Sequence, residues 1–142
     1  RPNLVFLGEK DFQQVQVIKD LISKYKMRIK VTTLSTIRDR NGLAYSSRNK
    51  LLDKKQRKIA SFLFKTIKEI SVKATKDPKR QKDLIKSGKA KLIKYGFNKV
   101  DYLEIYNQNN LKQPNALKER NMRIFVAAYI GKIRLIDNCI IN

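Results

Sequence analysis

Two short stretches of this sequence hold residue types that can do chemistry together. The first is Gly8-Glu9-Lys10-Asp11-Phe12-Gln13-Gln14, which follows an apolar run and opens a helical pattern. In open α/β sheets, ligands collect at the carboxyl ends of strands. A glycine there lets a ligand come close to the backbone. A lysine at the strand–helix corner meets phosphate, and the free N–H groups of the helix start add to the attraction. Two roles are open to Asp11: capping the helix, or accepting hydrogen bonds from ribose hydroxyls. The second stretch is Gly42-Leu43-Ala44-Tyr45-Ser46-Ser47-Arg48-Asn49. Serine hydroxyls and loop N–H groups donate to phosphate oxygens, and an arginine guanidinium forks onto them. A surface turn rich in Ser and Asn has the same composition, so this loop alone decides nothing.

Other chemistry is narrowly bounded. The 142 residues include no histidine and one cysteine, Cys139. An internal disulfide and a Cys/His zinc cluster are both excluded. Cys139 reads as a buried structural thiol. Without histidine, any chemistry housed here falls to Lys, Arg, carboxylates and hydroxyls. The net charge of +21 has two readings. One is a polyanion partner. The other is compositional drift, which the scattered placement of 23 Lys against 10 Arg favours. No apolar run reaches the length of a membrane span. The opening Arg1-Pro2, directly before an apolar run, is what a cut through a larger protein would leave.

The elements that must position these segments follow from periodicity. Leu4-Val5-Phe6-Leu7, ended by Gly8, reads as a buried strand. Val15, Ile18, Leu21 and Ile22 give helical spacing from Asp11 to about Lys24. Arg28 to Leu34 alternates and is rich in β-branched residues, so it reads as a second strand. The unit is a strand–helix–strand of the length a parallel crossover needs, the tail end of an α/β sheet. Alone it cannot bury both faces of such a sheet. Thr36 to Asn49 is irregular, with a turn at Asn41-Gly42. Asp53 to Gln56 has the form of a capping box. The spacing of Ile59, Leu63, Ile67 and Ile70 predicts one helix to about Ala74, with Phe62 and Thr66 alongside. Pro78 starts a further helix, with Leu84, Ile85, Leu92 and Ile93 inward and Gly96 as its left-handed cap. Gly88 inside that helix is a weak point. Val100 to Tyr106 is a strand, Asn107 to Arg120 a polar loop, and Met122–Ile130 with Lys132–Ile141 a hairpin about Gly131. The fold expected is α/β followed by a small α+β domain of two helices and a three-stranded antiparallel sheet, with the boundary near Thr36.

Taken together, Phe-Leu-Gly-Glu-Lys-Asp-Phe-Gln-Gln, then Asp-Arg-Asn-Gly-Leu-Ala-Tyr-Ser-Ser-Arg-Asn, then Arg-Leu-Ile-Asp-Asn resemble the pantothenate synthetase family in order and spacing. The likeness is strongest at residues 6–22, 37–60 and 123–138 and weakest over the lysine-rich helices at 65–95. It implies a nucleotidylyltransferase-type enzyme with a Rossmann-like ATP-binding domain, ending at residue 36, and a C-terminal lid over 37–142. It also implies the reaction: ATP and pantoate give a pantoyl adenylate, which β-alanine attacks to release pantothenate and AMP, with Mg2+ accompanying the ATP. Gly8 and Asp11 would hold the ribose. Lys10 would meet the phosphates and the developing charge. Gln14 would orient pantoate, and the Ile37 backbone would contact adenine. Ser46, Ser47 and Arg48 would clamp the β- and γ-phosphates, with Lys10 and Arg48 as the catalytic cations. Tyr45 and Phe12 read as packing, and Asp137-Asn138 as structural. A cytoplasmic homodimer is also implied.

The sequence departs from the family in one respect. The family's first signature, His-x-Gly-His, has no counterpart here, so this chain alone is expected to be inactive and to represent the C-terminal portion. The competing reading is a basic nucleic-acid-binding module. It has the charge but lacks an aromatic stacking set, a helix-turn-helix and a zinc pattern. No specific nucleic acid and no membrane are therefore expected as partners.

Overall fold

The computed structural model describes residues 2–114 and 121–141. They divide into two units, residues 1–37 and 38–142. In the first, the β-branched and apolar runs extend into strands β1 (Leu4–Gly8) and β2 (Lys30–Leu34), with helix α1 (Phe12–Lys24) between them. The strands are parallel, with Leu4 opposite Lys30 and Gly8 opposite Leu34. This is the expected crossover. Burial within it differs from the expectation. Phe12 and Val15 are buried on α1, whereas Leu21 is 47% exposed. Leu4 and Phe6 are also exposed, so β1 is not a buried strand here. The reason is geometric: strand side chains alternate between faces, and one helix covers only one face of a two-stranded sheet.

The second unit begins with an irregular segment that includes a short 3-10 turn at Ser47–Leu51. Helix α2 (Lys54–Ala60) then starts at a complete capping box. Asp53 Oδ1 accepts from the Gln56 N–H at 2.8 Å, and Gln56 Oε1 accepts from the Asp53 N–H at 3.1 Å. The single helix expected to Ala74 is interrupted at Ser61, and α3 (Phe62–Lys76) follows. Ser61 Oγ donates to the Lys58 carbonyl, a local bond that competes with the helical ladder. Asp77 and Pro78 end α3 and begin a 3-10 turn leading into α4 (Gln81–Tyr95), which Gly96 closes in a left-handed conformation.

Strands β3 (Lys99–Asn107), β4 (Met122–Ile130) and β5 (Ile133–Ile141) form an antiparallel sheet in the order β3-β4-β5. Ile130 pairs with Ile133, which leaves Gly131-Lys132 as a two-residue hairpin loop. Residues 115–120 of the expected polar loop lie outside the described residues. Helix α3 packs on β5 and β4, and α4 packs on β3. Ile67, Leu92, Leu103 and Ile124 are fully buried between them. Each contributes about 1.5–3 kcal/mol relative to leaving it exposed. Ile93, expected to point inward, is 49% exposed, while Cys139 is buried. Among the described residues no helix is long and apolar enough to cross a membrane.

Gly88 is the point of closest approach between α4 and its neighbours rather than a weak point. A Cβ there would lie 2.6 Å from Ile70 Cδ1 and 3.0 Å from Leu103 Cδ2. Gly88→Ala gains about 0.5–1 kcal/mol of helix propensity but overpacks a core in which such additions cost about 1–3 kcal/mol. The net expectation is a loss of about 1 kcal/mol in urea unfolding. An unchanged or raised urea midpoint would show that the contact has slack.

Helices α3 and α4 are also clamped by charge. Glu69 accepts from Lys73 on its own helix at 2.6 Å and from Lys91 on α4. Hydrogen bonds from Lys73 and Lys91 hold the Glu69 carboxyl below its ordinary value of 4.5. The hydrogen bond to Glu69 holds the Lys91 ammonium above its ordinary 10.5. A lowered carboxyl stabilises the fold above its unfolded pKa and loses that contribution as pH falls through the folded one. A raised lysine loses its contribution only as pH rises past its unfolded value. The clamp is therefore intact at neutral pH and fails first on the acid side. The difference in melting temperature between the wild type and Glu69→Gln should shrink as pH falls below 4.5. A difference that stays constant through that range would mean the clamp carries no pH-dependent stability.

Candidate functional site

The first candidate segment sits where β1 runs into α1. Gly8 ends the strand, Glu9–Asp11 makes one 3-10 turn, and Phe12 begins the helix. Burial of Phe12 and Val15 fixes the inner side of the helix, so its first turn presents Gln14 outward. Gly8, Lys10, Asp11 and Gln14 thus gather at one corner, with Asp11 and Gln14 three residues apart on adjacent positions of the helix surface. Lys10 is half-buried and Asp11 exposed. Asp11 occupies the N-cap position of α1, yet its side chain makes no cap hydrogen bond. Of the two roles open to it, the capping one is not used. Gly8 has ordinary extended angles, and a Cβ on it would meet nothing within 4 Å. Open space at this strand end is what a close-lying ligand requires.

The second candidate segment belongs to the second unit. The chain from Arg38 to Ala44 turns back on itself, with Arg38 and Ala44 paired as a β-bridge. Asp39 organises the turn. Its Oδ1 accepts from the N–H groups of Asn41 at 2.8 Å and Leu43 at 3.0 Å. Gly42 holds φ +89°, a conformation L side chains rarely adopt, and lies against the Phe64 ring. Ser46 then caps the 3-10 turn, its Oγ accepting from the Arg48 N–H at 3.2 Å. Ser47 and Arg48 are exposed. The Arg48 guanidinium makes no hydrogen bond or ion pair among the described residues. Tyr45, read from sequence as packing, is 62% exposed, while Phe12 is buried as expected. The exposure of Tyr45 follows from the extended chain on either side of it, with Ala44 buried behind. Ile37, the last residue of the first unit, is 74% exposed.

The supporting residues are those that sequence reading did not identify. Arg38 Nη1 donates to Asp137 Oδ2 at 2.6 Å and Nη2 to Oδ1 at 2.9 Å. The same Nη1 donates to the Gly42 carbonyl at 3.2 Å, and the guanidinium lies 3.4 Å above the Phe64 ring. Asn49 Nδ2 donates to the Ala44 carbonyl at 3.0 Å, and Arg57 Nη2 donates to the Asn49 carbonyl at 2.9 Å. The buried Asn49 Oδ1 has no hydrogen-bond partner among the described residues. One signal was present in the sequence. Asp137 lies on the same strand face as Leu135 and Cys139, both buried, and an acid in such a row needs a partner. The structure bears out the reading of Asp137 as structural and supplies that partner. No group of three or more His, Cys, Asp or Glu gathers as a metal cage among the described residues.

These segments give one corner with a lysine, a carboxylate and an amide, and one hydrogen-bonded loop with two hydroxyls and a guanidinium that makes no bond among the described residues. Comparison with known proteins places the chain in a family. Residues 1–140 match the family described as Pantoate-beta-alanine ligase. The pantothenate synthetase of Buchnera aphidicola subsp. Acyrthosiphon pisum (strain Tuc7) is 40% identical over 139 residues, covering 97% of this chain and 48% of that protein. The crystal structure of pantothenate synthetase from Thermus thermophilus superposes with a TM-score of 0.84 at 27% identity, covering 96% of this chain and 49% of that one. The pantoate–β-alanine ligase of Francisella tularensis, solved in complex with beta-gamma ATP and beta-alanine, gives a TM-score of 0.69 at 34% identity, covering 97% of this chain and 43% of that one. The chain spans about half the length of the relatives it matches. With the match running from residue 1 to residue 140, the chain belongs to the pantoate–β-alanine ligase family.

Proposed function

We propose that this chain supplies the ATP-handling part of an enzyme that condenses pantoate with β-alanine. The observation that carries the reading is the family match over residues 1–140, with Ser47 and Arg48 of the second candidate segment exposed. The pantoate carboxylate attacks the α-phosphorus of ATP, pyrophosphate leaves, and the β-alanine amine displaces AMP from the pantoyl adenylate. Such an in-line displacement gains chiefly from positioning and from cations placed where charge develops. Lys10 supplies one cation at the strand–helix corner, and Arg48 supplies a second on the loop. Ser46 and Ser47 donate to the β- and γ-phosphates. Gly8 and Asp11 hold the ribose, a role favoured by the absence of a cap bond at Asp11. Gln14 orients pantoate, and the Ile37 backbone meets adenine.

Magnesium enters on the ATP phosphates as part of the substrate, and phosphate oxygens are its natural hard ligands. Residues 1–36 belong in this proposal to a Rossmann-like ATP-binding domain and 37–142 to a lid. A lid that carries a phosphate clamp excludes water when it closes and completes the site only then. The cytoplasmic homodimer is part of the same proposal. The two signature histidines have no counterpart in this sequence, so the reaction requires groups from outside these 142 residues.

The test uses the complete protein that carries this chain. AMP release should depend on both pantoate and β-alanine. Lys10→Ala and Arg48→Ala should each slow pyrophosphate release at least tenfold, about 1.4 kcal/mol of barrier. Near-normal pyrophosphate release in both variants would sink the assignment of the two segments. Release of AMP without pantoate would sink the substrate.

A further inference from the structure

The loop proposed to grip phosphate is suspended between two anchored points, and the first anchor depends on a buried ion pair far away in sequence. Ser46, Ser47 and Arg48 lie between Ala44 and Asn49. Ala44 is held by its bridge to Arg38. Asn49 is held to Ala44 through its side chain and to Arg57 through its carbonyl. Arg38 is itself fixed by the two-pronged bond to Asp137 on β5, by the Gly42 carbonyl and by the Phe64 ring. Side-chain exposure is 17% for Arg38 and 3% for Asp137. Asp137 Oδ1 also accepts from the Asn138 N–H at 2.8 Å, which holds the carboxylate in one orientation. Every link in this chain of contacts lies within the second unit.

We propose that Arg38 and Asp137 are positioning residues for the Ser46-Ser47-Arg48 loop and so for the ATP polyphosphate. The proposal rests on the reading of that loop as the phosphate-binding segment. In this role Arg38 meets no phosphate itself; its two terminal nitrogens bond Asp137 and Gly42. It ties the loop stem to β5 through Asp137, and the stem sets where the Arg48 guanidinium can reach. Lysine cannot replace it, because an ammonium is a point charge without the planar fork that fits a carboxylate.

The experiment measures, in the complete protein, the affinity for a non-hydrolysable ATP analogue by calorimetry, the KM for ATP and for pantoate, and the melting temperature. Arg38→Lys and Asp137→Asn should each weaken analogue binding and raise the ATP KM roughly tenfold, with the pantoate KM held within roughly twofold. The double variant should be no worse than the poorer single one, because both remove the same bond. Folded variants that lose only kcat, with ATP affinity intact, would overturn the proposal and leave the pair a purely structural one. Should both variants fail to fold, Phe64→Leu decides. It withdraws the ring beneath Arg38, and unchanged analogue affinity there would overturn the proposal. Arg48→Ala runs in parallel to separate the two levels. If it leaves analogue affinity unchanged, the phosphate-loop reading fails and the proposal with it. If it weakens binding while Arg38→Lys does not, only the positioning role fails.

Discussion

A carboxylate buried under a sheet face is unfavourable unless something cationic goes in with it. Asp137 is that carboxylate, and Arg38 is its partner across 99 positions of chain. Removing one member of such a pair typically costs about 3–5 kcal/mol, because the other is left charged and desolvated. The second unit is therefore bound to bring its first residues back to its last strand. That return fixes where the segment after Arg38 begins, and the turn organised by Asp39 and Gly42 fixes its direction. The capping box at Asp53 then sets α2, which leads into the core between α3, α4 and the sheet.

Local chemistry was readable in the sequence where one residue or one short motif dictates the backbone. The capping box of Asp53 and Gln56, the stop at Asp77-Pro78, the cap at Gly96 and the turn at Gly131 belong to that class, and the elements they delimit follow. The sequence was silent where two distant elements negotiate one position. Gly88 looks like a helix defect until Ile70 and Leu103 are seen to occupy the space its side chain would need. Ile93 fits an inward stripe by spacing, but α4 turns a narrower face to β3 than the stripe assumes, and the residue stays 49% exposed. Phe6 illustrates the same limit in the first unit: alternation predicts a strand but does not say which faces are covered.

The candidate site was legible to the same extent and for the same reason. Side-chain chemistry and order along the chain were enough to single out Lys10, Asp11, Ser46, Ser47 and Arg48. Composition could not distinguish a capping Asp11 from a ligand-facing one. The structure shows the cap position without a side-chain bond. Of the residues that hold the loop, Arg38 and Arg57 carry no motif that separates them from surface residues of the same type, and the motif that contains Asn49 does not say that its side chain turns back to the Ala44 carbonyl. Their roles exist only once strand β5 and helix α2 are in place.

Arg38 and Arg48 put the general point in its sharpest form. They are the same residue type, ten positions apart, in one irregular segment. Arg38 is mostly buried, forked onto a carboxylate, bonded to a carbonyl and stacked on a ring. Its charge is consumed by the scaffold, and little field is left over for a ligand. Arg48 is exposed and has no ion-pair partner among the described residues. A free surface guanidinium is weakly useful in itself, since a flexible side chain loses conformational freedom on binding and water screens its charge. It becomes useful when its backbone is already fixed, because then only the side chain remains to be ordered. On the proposed reading, the arginine held by the scaffold lowers the entropic cost that Arg48 would meet on binding an anion. A loop with Arg48 alone would present charge; a loop with both presents charge at a defined place.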